Sequence, residues 1–218
     1  QISHILPRRT VDNEGALSLE LVDRARARGV DLAFDMHTRL FGTTFLNTII
    51  PVWALDDVAA HLSNVSSRKR MRDYDSIVAS GGWDRIVLLD HPLFPLYARR
   101  SLGEVAREEG RDPFDIAFDI LAAEVAQPLA ERLPVMVLIL AYTPDQQAPI
   151  FAHPLCMPGS DATTLAPDGP LANSVFHGAY SWASWSFHFM VHERKLLSPA
   201  QAVHRVLVLP APGLGLKI

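Results

Sequence analysis

The spacing of apolar positions changes along the chain, and the changes predict where helices and strands lie. Residues 15–29, GALSLELVDRARARG, repeat at helical spacing, with Leu17, Leu21, Val22 and Ala25 on one face and Gly29 as the stop. The next run, VDLAFDMHT, is apolar almost without interruption through Phe34. That predicts a strand covered on both faces, with Asp35 and His37 at its carboxyl end. The opening QISH has the same character, a short apolar run that delivers His4. His4 and His37 are then one strand–helix–strand unit apart, about 30 residues, the repeat of a βα-barrel or a doubly wound sheet.

The rhythm breaks after LFGTTFLNTIIPVWAL. Helix-like pieces lie near Asp56–His61 and Arg68–Ser80, and Arg85–Asp90 is strand-like. Ser101 with Glu104 three residues on is a capping box, while Asp112, Pro113 and Asp115 mark the start of another helix. The regular pattern returns with a buried strand at Pro134–Tyr142. Thr143-Pro144-Asp145 then opens a short helix, and HPLCMPGSD gives a shorter strand ending on Asp161. An aromatic-rich helix over Tyr180–Arg194 is followed by one N-capped by Ser198, with Pro199 at its first position. LPAPGLGLKI closes as a turn. The expected organisation is one domain over 1–218, with residues 50–130 as an insertion within it.

Composition narrows the class. With 218 residues, 49% hydrophobic and 20% charged, the chain can bury a real core. No apolar run reaches the roughly 18 residues of a membrane span. No basic-then-apolar leader is visible. The single cysteine, Cys156, excludes an internal disulfide framework and suits a reducing compartment, so a cytoplasmic location is expected. Net charge is −4, and the basic cluster SSRKRMR is followed at once by acids, which predicts a solvated helix face and no nucleic-acid partner. Gly42, Gly81 and Gly82 make no phosphate loop, and there is no G-x-S-x-G elbow for a serine hydrolase.

What remains is a set of polar residues where parallel strands end: His4, His37 (or Asp35) and Asp161. Sites in barrels and open α/β sheets form at those ends. Two imidazoles and a carboxylate suit a divalent metal, zinc above others for nitrogen ligands. A carboxylate beside such an ion can take a proton from its water, which makes the set hydrolytic.

The segments ISH, FDMHTRLFGTT, LCMPGSDATT, FHGAYSWASWSFHFMVHERKLLSPAQAV and LPAPGLGL resemble the second half of the N-acyl-D-amino-acid deacylases. These are D-aminoacylase-like members of the amidohydrolase superfamily. The resemblance implies an α/β fold, the C-terminal half of a (β/α)8 TIM-like barrel (about strands 5–8), with a helical insertion between strands 6 and 7. It implies zinc held by His4, most plausibly His37, and Asp161, with Asp161 as the catalytic acid/base. Many relatives carry an aromatic-Pro-aromatic segment where this chain has MHTRL, which keeps Asp35 as a competitor of His37. The family's His-x-His pair, its bridging ligand from an early strand and its small β-sandwich have no counterpart here. The chain is therefore expected to begin in mid-barrel.

The remaining candidates carry two readings each. Arg39 either holds a substrate carboxylate or makes a surface salt bridge. His177 resembles a loop histidine that faces substrate in relatives, or it orders its loop. Trp53, Trp182 and Trp185 line an acyl pocket or belong to the core. Cys156 reads as a small buried hydrophobe, His91 and His153 as structural, and His61, His188, His192 and His204 as partly exposed helix positions. The expected activity is zinc-dependent cleavage of the amide bond of N-acyl-D-amino acids, with a dihydropyrimidinase-like cyclic amidase as a neighbouring possibility. The competing expectation is a truncated or split amidohydrolase, inactive without a complementary N-terminal half. A binding module that keeps the scaffold without the chemistry is the third. Expected partners are the small-molecule substrate and either that half or a second copy, with no membrane.

Overall fold

The computed structural model describes residues 1–7, 13–76, 78–79, 81–162, 168 and 180–217. The chain divides into two units, residues 1–40 with 142–218, and residues 41–141.

In the first unit, α1 spans Glu14–Ala27, with Glu14 in its first turn and Arg24 and Arg26 in its last, signs that complement the helix dipole. Gly29 adopts φ 85°, and the N–H of Val30 returns to the carbonyl of Ala25, closing the helix in a left-handed cap. Val30 is thereby committed to the cap, and β1 begins only at Phe34, spanning Phe34–His37. The buried face of α1 centres on Val22, while Leu17 and Leu21 are exposed. Of the expected apolar face, Val22 is buried and Ala25 half-buried, and Leu17 and Leu21 are corrected. A Cβ on Gly15 would stand 3.4 Å from Ile150 Cδ1, so α1 docks through its small residues and Leu17 and Leu21 turn outward.

β1 pairs in parallel with β5, Cys156–Gly159, in a register that puts Phe34 opposite Cys156 and His37 opposite Gly159. On the other side of β1, Ile2 makes a parallel bridge to Phe34. Helix α6, Pro144–Ala152, starts from a capping box of Thr143 and Gln146. Helix α7, Trp182–Phe187, runs on into a π-helical turn, His188–Glu193. Helix α8, Pro199–Leu207, has the predicted Ser198 cap, closed into a box by Gln201. Phe34, Met36, Phe151, Cys156, Phe189 and Met190 form the buried centre. Cys156 is the inert hydrophobe expected, its thiol pushed up by burial.

The second unit is built on a three-stranded antiparallel sheet of β2 (Gly42–Phe45), β3 (Ile86–Leu88) and β4 (Met136–Ile139), in the order β2-β4-β3. Its helices are α2 (Val58–Ser63), α3 (Val65–Met71), α4 (Leu102–Glu109) and α5 (Pro113–Val125). The capping box of Ser101 and the Asp112-Pro113 start form as predicted. β4 does not resume a parallel pattern: it is the central strand here, flanked by β2 and β3. A central strand buried by its neighbours has the same apolar run whichever way they point, so its sequence hid its partners. Of this sheet only β3 lies within residues 50–130, where Arg85–Asp90 reads as strand-like; β2 and β4 flank that segment on either side. The basic cluster is a solvated face only in part: Lys69 and Arg70 are exposed, while Arg68 and Arg72 are half-buried in ion pairs. Arg68 pairs with Asp119 at 2.7 Å, and Arg72 with Asp112 at 2.8 Å and Asp115 at 2.7 Å, tying α3 to α5.

Of the run of parallel barrel strands expected, the described residues contain β1, β5 and the Ile2 bridge. Among them, no helix is long and apolar enough to cross a membrane.

Candidate functional site

The parallel segments end side by side, and each delivers a polar residue. His4 follows the Ile2 bridge by two positions, Asp161 follows β5 by two, and Asp35 and His37 lie on β1. His4 Nε2 stands 3.1 Å from Asp161 Oδ1 and 3.7 Å from Asp35 Oδ1. Asp35 also accepts the backbone N–H of His4 at 2.9 Å and the side-chain amide of Gln1. It thus fixes the turn that carries His4. His4 (φ 58°) and Asp161 (φ 53°) both adopt left-handed backbone. For a residue with a Cβ that conformation costs about 1–2 kcal/mol, and such strain gathers at functional sites. These side chains open onto a cleft of about 460 Å³, also lined by His37, Trp182 and Leu214.

The electrostatics favour a cation between the carboxylates. Burial raises the Asp161 carboxyl above its usual range, with the Asp35 charge adding to the rise and His4 opposing it. His37 is buried, and desolvation, helped by the nearby His4 and Arg39, lowers it to about 4, so its ring is neutral near pH 7. Its Nε2 is engaged by the Tyr142 hydroxyl, and its ring lies edge-on to His4 with centroids 6.0 Å apart.

The donor chemistry can be set against a zinc ion. Ligands bound at about 2.0–2.2 Å in neighbouring positions sit roughly 3–3.5 Å from each other. The His4–Asp161 pair has that spacing and the nitrogen and oxygen donors zinc accepts. Among the described residues no three His, Cys, Asp or Glu side chains close around one point. The pair fits part of a metal site, and the rest of a coordination shell needs other donors. His37, with Nε2 committed to Tyr142, could contribute only through Nδ1.

Arg39 lies apart from this pair and is buried rather than on the surface. Its guanidinium donates to the Thr38 carbonyl at 2.8 Å and the Ser181 hydroxyl at 2.7 Å, and lies 5.6 Å from the Trp185 ring centre. No carboxylate pairs with it among the described residues. Burial pulls its pKa down. His177 lies outside the described residues. Trp182 lines the cleft, Trp185 stacks on Phe189, and Trp53 packs in the second unit. His91 and His153 are structural: each Nδ1 accepts the N–H two residues on, within a His-Pro-Leu turn.

Two further residues matter here, and the sequence does not single them out. Tyr142 engages His37, and Gln147, fully buried on α6, donates to the carbonyls of His37 at 3.2 Å and Arg39 at 2.8 Å. Each lies more than a hundred residues from its partner, and nothing local in AYTPDQQ marks the contact.

No family model and no curated protein matches the chain. Solved structures do. It resembles N-acyl-D-glutamate deacylase from Bordetella bronchiseptica, solved with zinc and a phosphonate mimic of the tetrahedral intermediate, at TM-score 0.61 and 22% identity over 98% of this chain and 35% of that one. D-aminoacylase, described as defining a novel subset of amidohydrolases, matches at TM-score 0.63 and 18% identity, with the same coverage. A D-aminoacylase mutant in complex with copper chloride matches at 0.60 and 17%. The resemblance to the deacylases thus holds in the fold. The chain spans about a third of the length of the structures it matches, 35% in each case.

Proposed function

We propose that this chain carries part of the active site of a metal-dependent amidohydrolase of the N-acyl-D-amino-acid deacylase type, and forms the C-terminal half of its (β/α)8 barrel. The observation that carries this is the His4–Asp161 pair, two strained residues at the ends of the parallel segments that flank β1, 3.1 Å apart in a cleft. The shared fold with zinc- and copper-containing deacylase structures supports the same reading.

In this reading His4 and Asp161 hold zinc, with His37 as a further candidate through Nδ1. A bound zinc ion supplies Lewis acidity and lowers the pKa of water. Asp161 accepts the proton of the attacking water on a carboxylate oxygen. The water oxygen bonds to the acyl carbon, the carbon–nitrogen bond breaks, and Asp161 returns the proton to the leaving amine nitrogen. Its raised pKa makes it a better base. Arg39, a buried cation without a carboxylate among the described residues, is the candidate for the substrate's carboxylate. His177 keeps its proposed place facing the substrate.

A second reading has a specific observation behind it. The cleft offers too few donors for a closed shell among the described residues, and the chain spans 35% of its structural neighbours. We therefore propose that activity requires a complementary barrel segment, with a second copy of the chain as the alternative source. The test is hydrolysis of N-acetyl-D- and L-amino acids with zinc, with and without such a segment. D-selective turnover that falls at least 100-fold in Asp161→Asn supports the assignment. Equal turnover in wild type and Asp161→Asn overturns it.

A further inference from the structure

We propose that His188 and His192 form a second, peripheral site for a borderline divalent transition-metal ion, separate from the His4–Asp161 pair. The two residues stand four apart on the π-helical turn that continues α7. Both are exposed, and their ring centroids are 5.9 Å apart with planes inclined by 34°. Among the described residues neither ring makes a hydrogen bond or an ion pair, and the other ring beside His192 is Phe187 at 5.8 Å. Within that set the imidazole nitrogens are therefore free.

Histidines at this spacing on one helix face present two nitrogens to one ion. Metal–nitrogen bonds of about 2.0–2.1 Å place two ligating rings roughly 5 Å apart, centre to centre. Small side-chain rotations of two exposed rings close the present gap. Short π-helical turns are rare and occur often at functional positions. Two imidazoles without a carboxylate cage select copper, nickel or zinc and reject calcium and magnesium. Such an ion would clamp the turn that follows Trp182, which lines the cleft, and Trp185, which lies beneath Arg39. The site stands whether or not the deacylase reading does.

The test is calorimetric titration of the untagged chain with Ni²⁺, in a His4→Ala background so that the cleft pair contributes nothing. His188→Ala and His192→Ala are each expected to weaken Ni²⁺ binding at least tenfold, with the double variant no worse than the singles. His204→Ala, which removes a lone exposed histidine from α8, is expected to leave binding unchanged. Ni²⁺ should raise the melting temperature of the parent and not of His192→Ala. The proposal is overturned if the parent takes up no Ni²⁺ at 100 µM, on the order of a weak site. It is also overturned if either single variant titrates like the parent, or if His204→Ala loses as much affinity as they do.

Discussion

Replacing Gln147 by Leu should loosen the carboxyl end of β1 without disturbing the second unit. The side-chain amide of Gln147 is fully buried and donates to the carbonyls of both His37 and Arg39. Leu keeps much of the volume and removes both donors. A buried carbonyl left without a partner costs about 1–3 kcal/mol. Against this, Gln147 Oε1 is itself buried without a hydrogen-bond partner among the described residues, and its removal returns roughly 1 kcal/mol. For the two carbonyls the net loss is about 1–5 kcal/mol, which makes local opening at least about fivefold more frequent at about 1.4 kcal/mol per tenfold. Hydrogen exchange followed by mass spectrometry reads this directly on peptides covering residues 34–40, with peptides of β2 and β4 as the internal control. Gln147→Glu should be worse at pH 7.5 than at pH 5, because an ionised carboxylate would face two carbonyl oxygens. Exchange over 34–40 within threefold of wild type in Gln147→Leu would refute the argument.

Other outcomes are fixed by particular contacts. His37 is lowered to about 4 in the folded chain against an ordinary 6.5, so the unfolded state binds its proton first. Stability should be full above pH 6.5 and fall as pH drops toward 4, by roughly 3 kcal/mol in total. Urea midpoints across that range should lose this slope in His37→Gln. Ser101→Ala removes the cap of α4 and should cost about 1 kcal/mol, measured as a lower urea midpoint. Gly103→Ala should also destabilise, by about 1–3 kcal/mol in the same assay, because the new methyl would stand 2.9 Å from the backbone nitrogen of Asp84. Arg39→Leu should raise KM at least tenfold for N-acyl amino acids while sparing amides without a carboxylate. Equal effects on both would assign Arg39 to structure alone.

Local chemistry is legible in the sequence. The Ser101–Glu104 box, the Asp112-Pro113 start and the Ser198 cap each need only a few neighbouring residues, and all of them form. The convergence of His4 and Asp161 is legible too, because parallel strands bring their carboxyl ends together. Pairing between distant segments is not. The run at 134–142 names a buried strand but not its two antiparallel partners. The pattern places Val22 correctly on α1 but also points to Leu17 and Leu21, because large apolar residues outweigh Gly15, whose value is the close approach it permits. Tyr142 and Gln147 reach the site from far along the chain, with no periodicity to announce them.

In the proposed reading His4 and Asp161 share one metal ion. A Zn²⁺ competition titration against a chromophoric chelator tests it, in a His188→Ala/His192→Ala background that removes the peripheral pair and with the complementary segment supplied. One zinc site is expected, weakened at least 100-fold, about 2.7 kcal/mol, by either His4→Ala or Asp161→Ala. Zinc bound with unchanged affinity in both variants, or not bound by the parent, would contradict it.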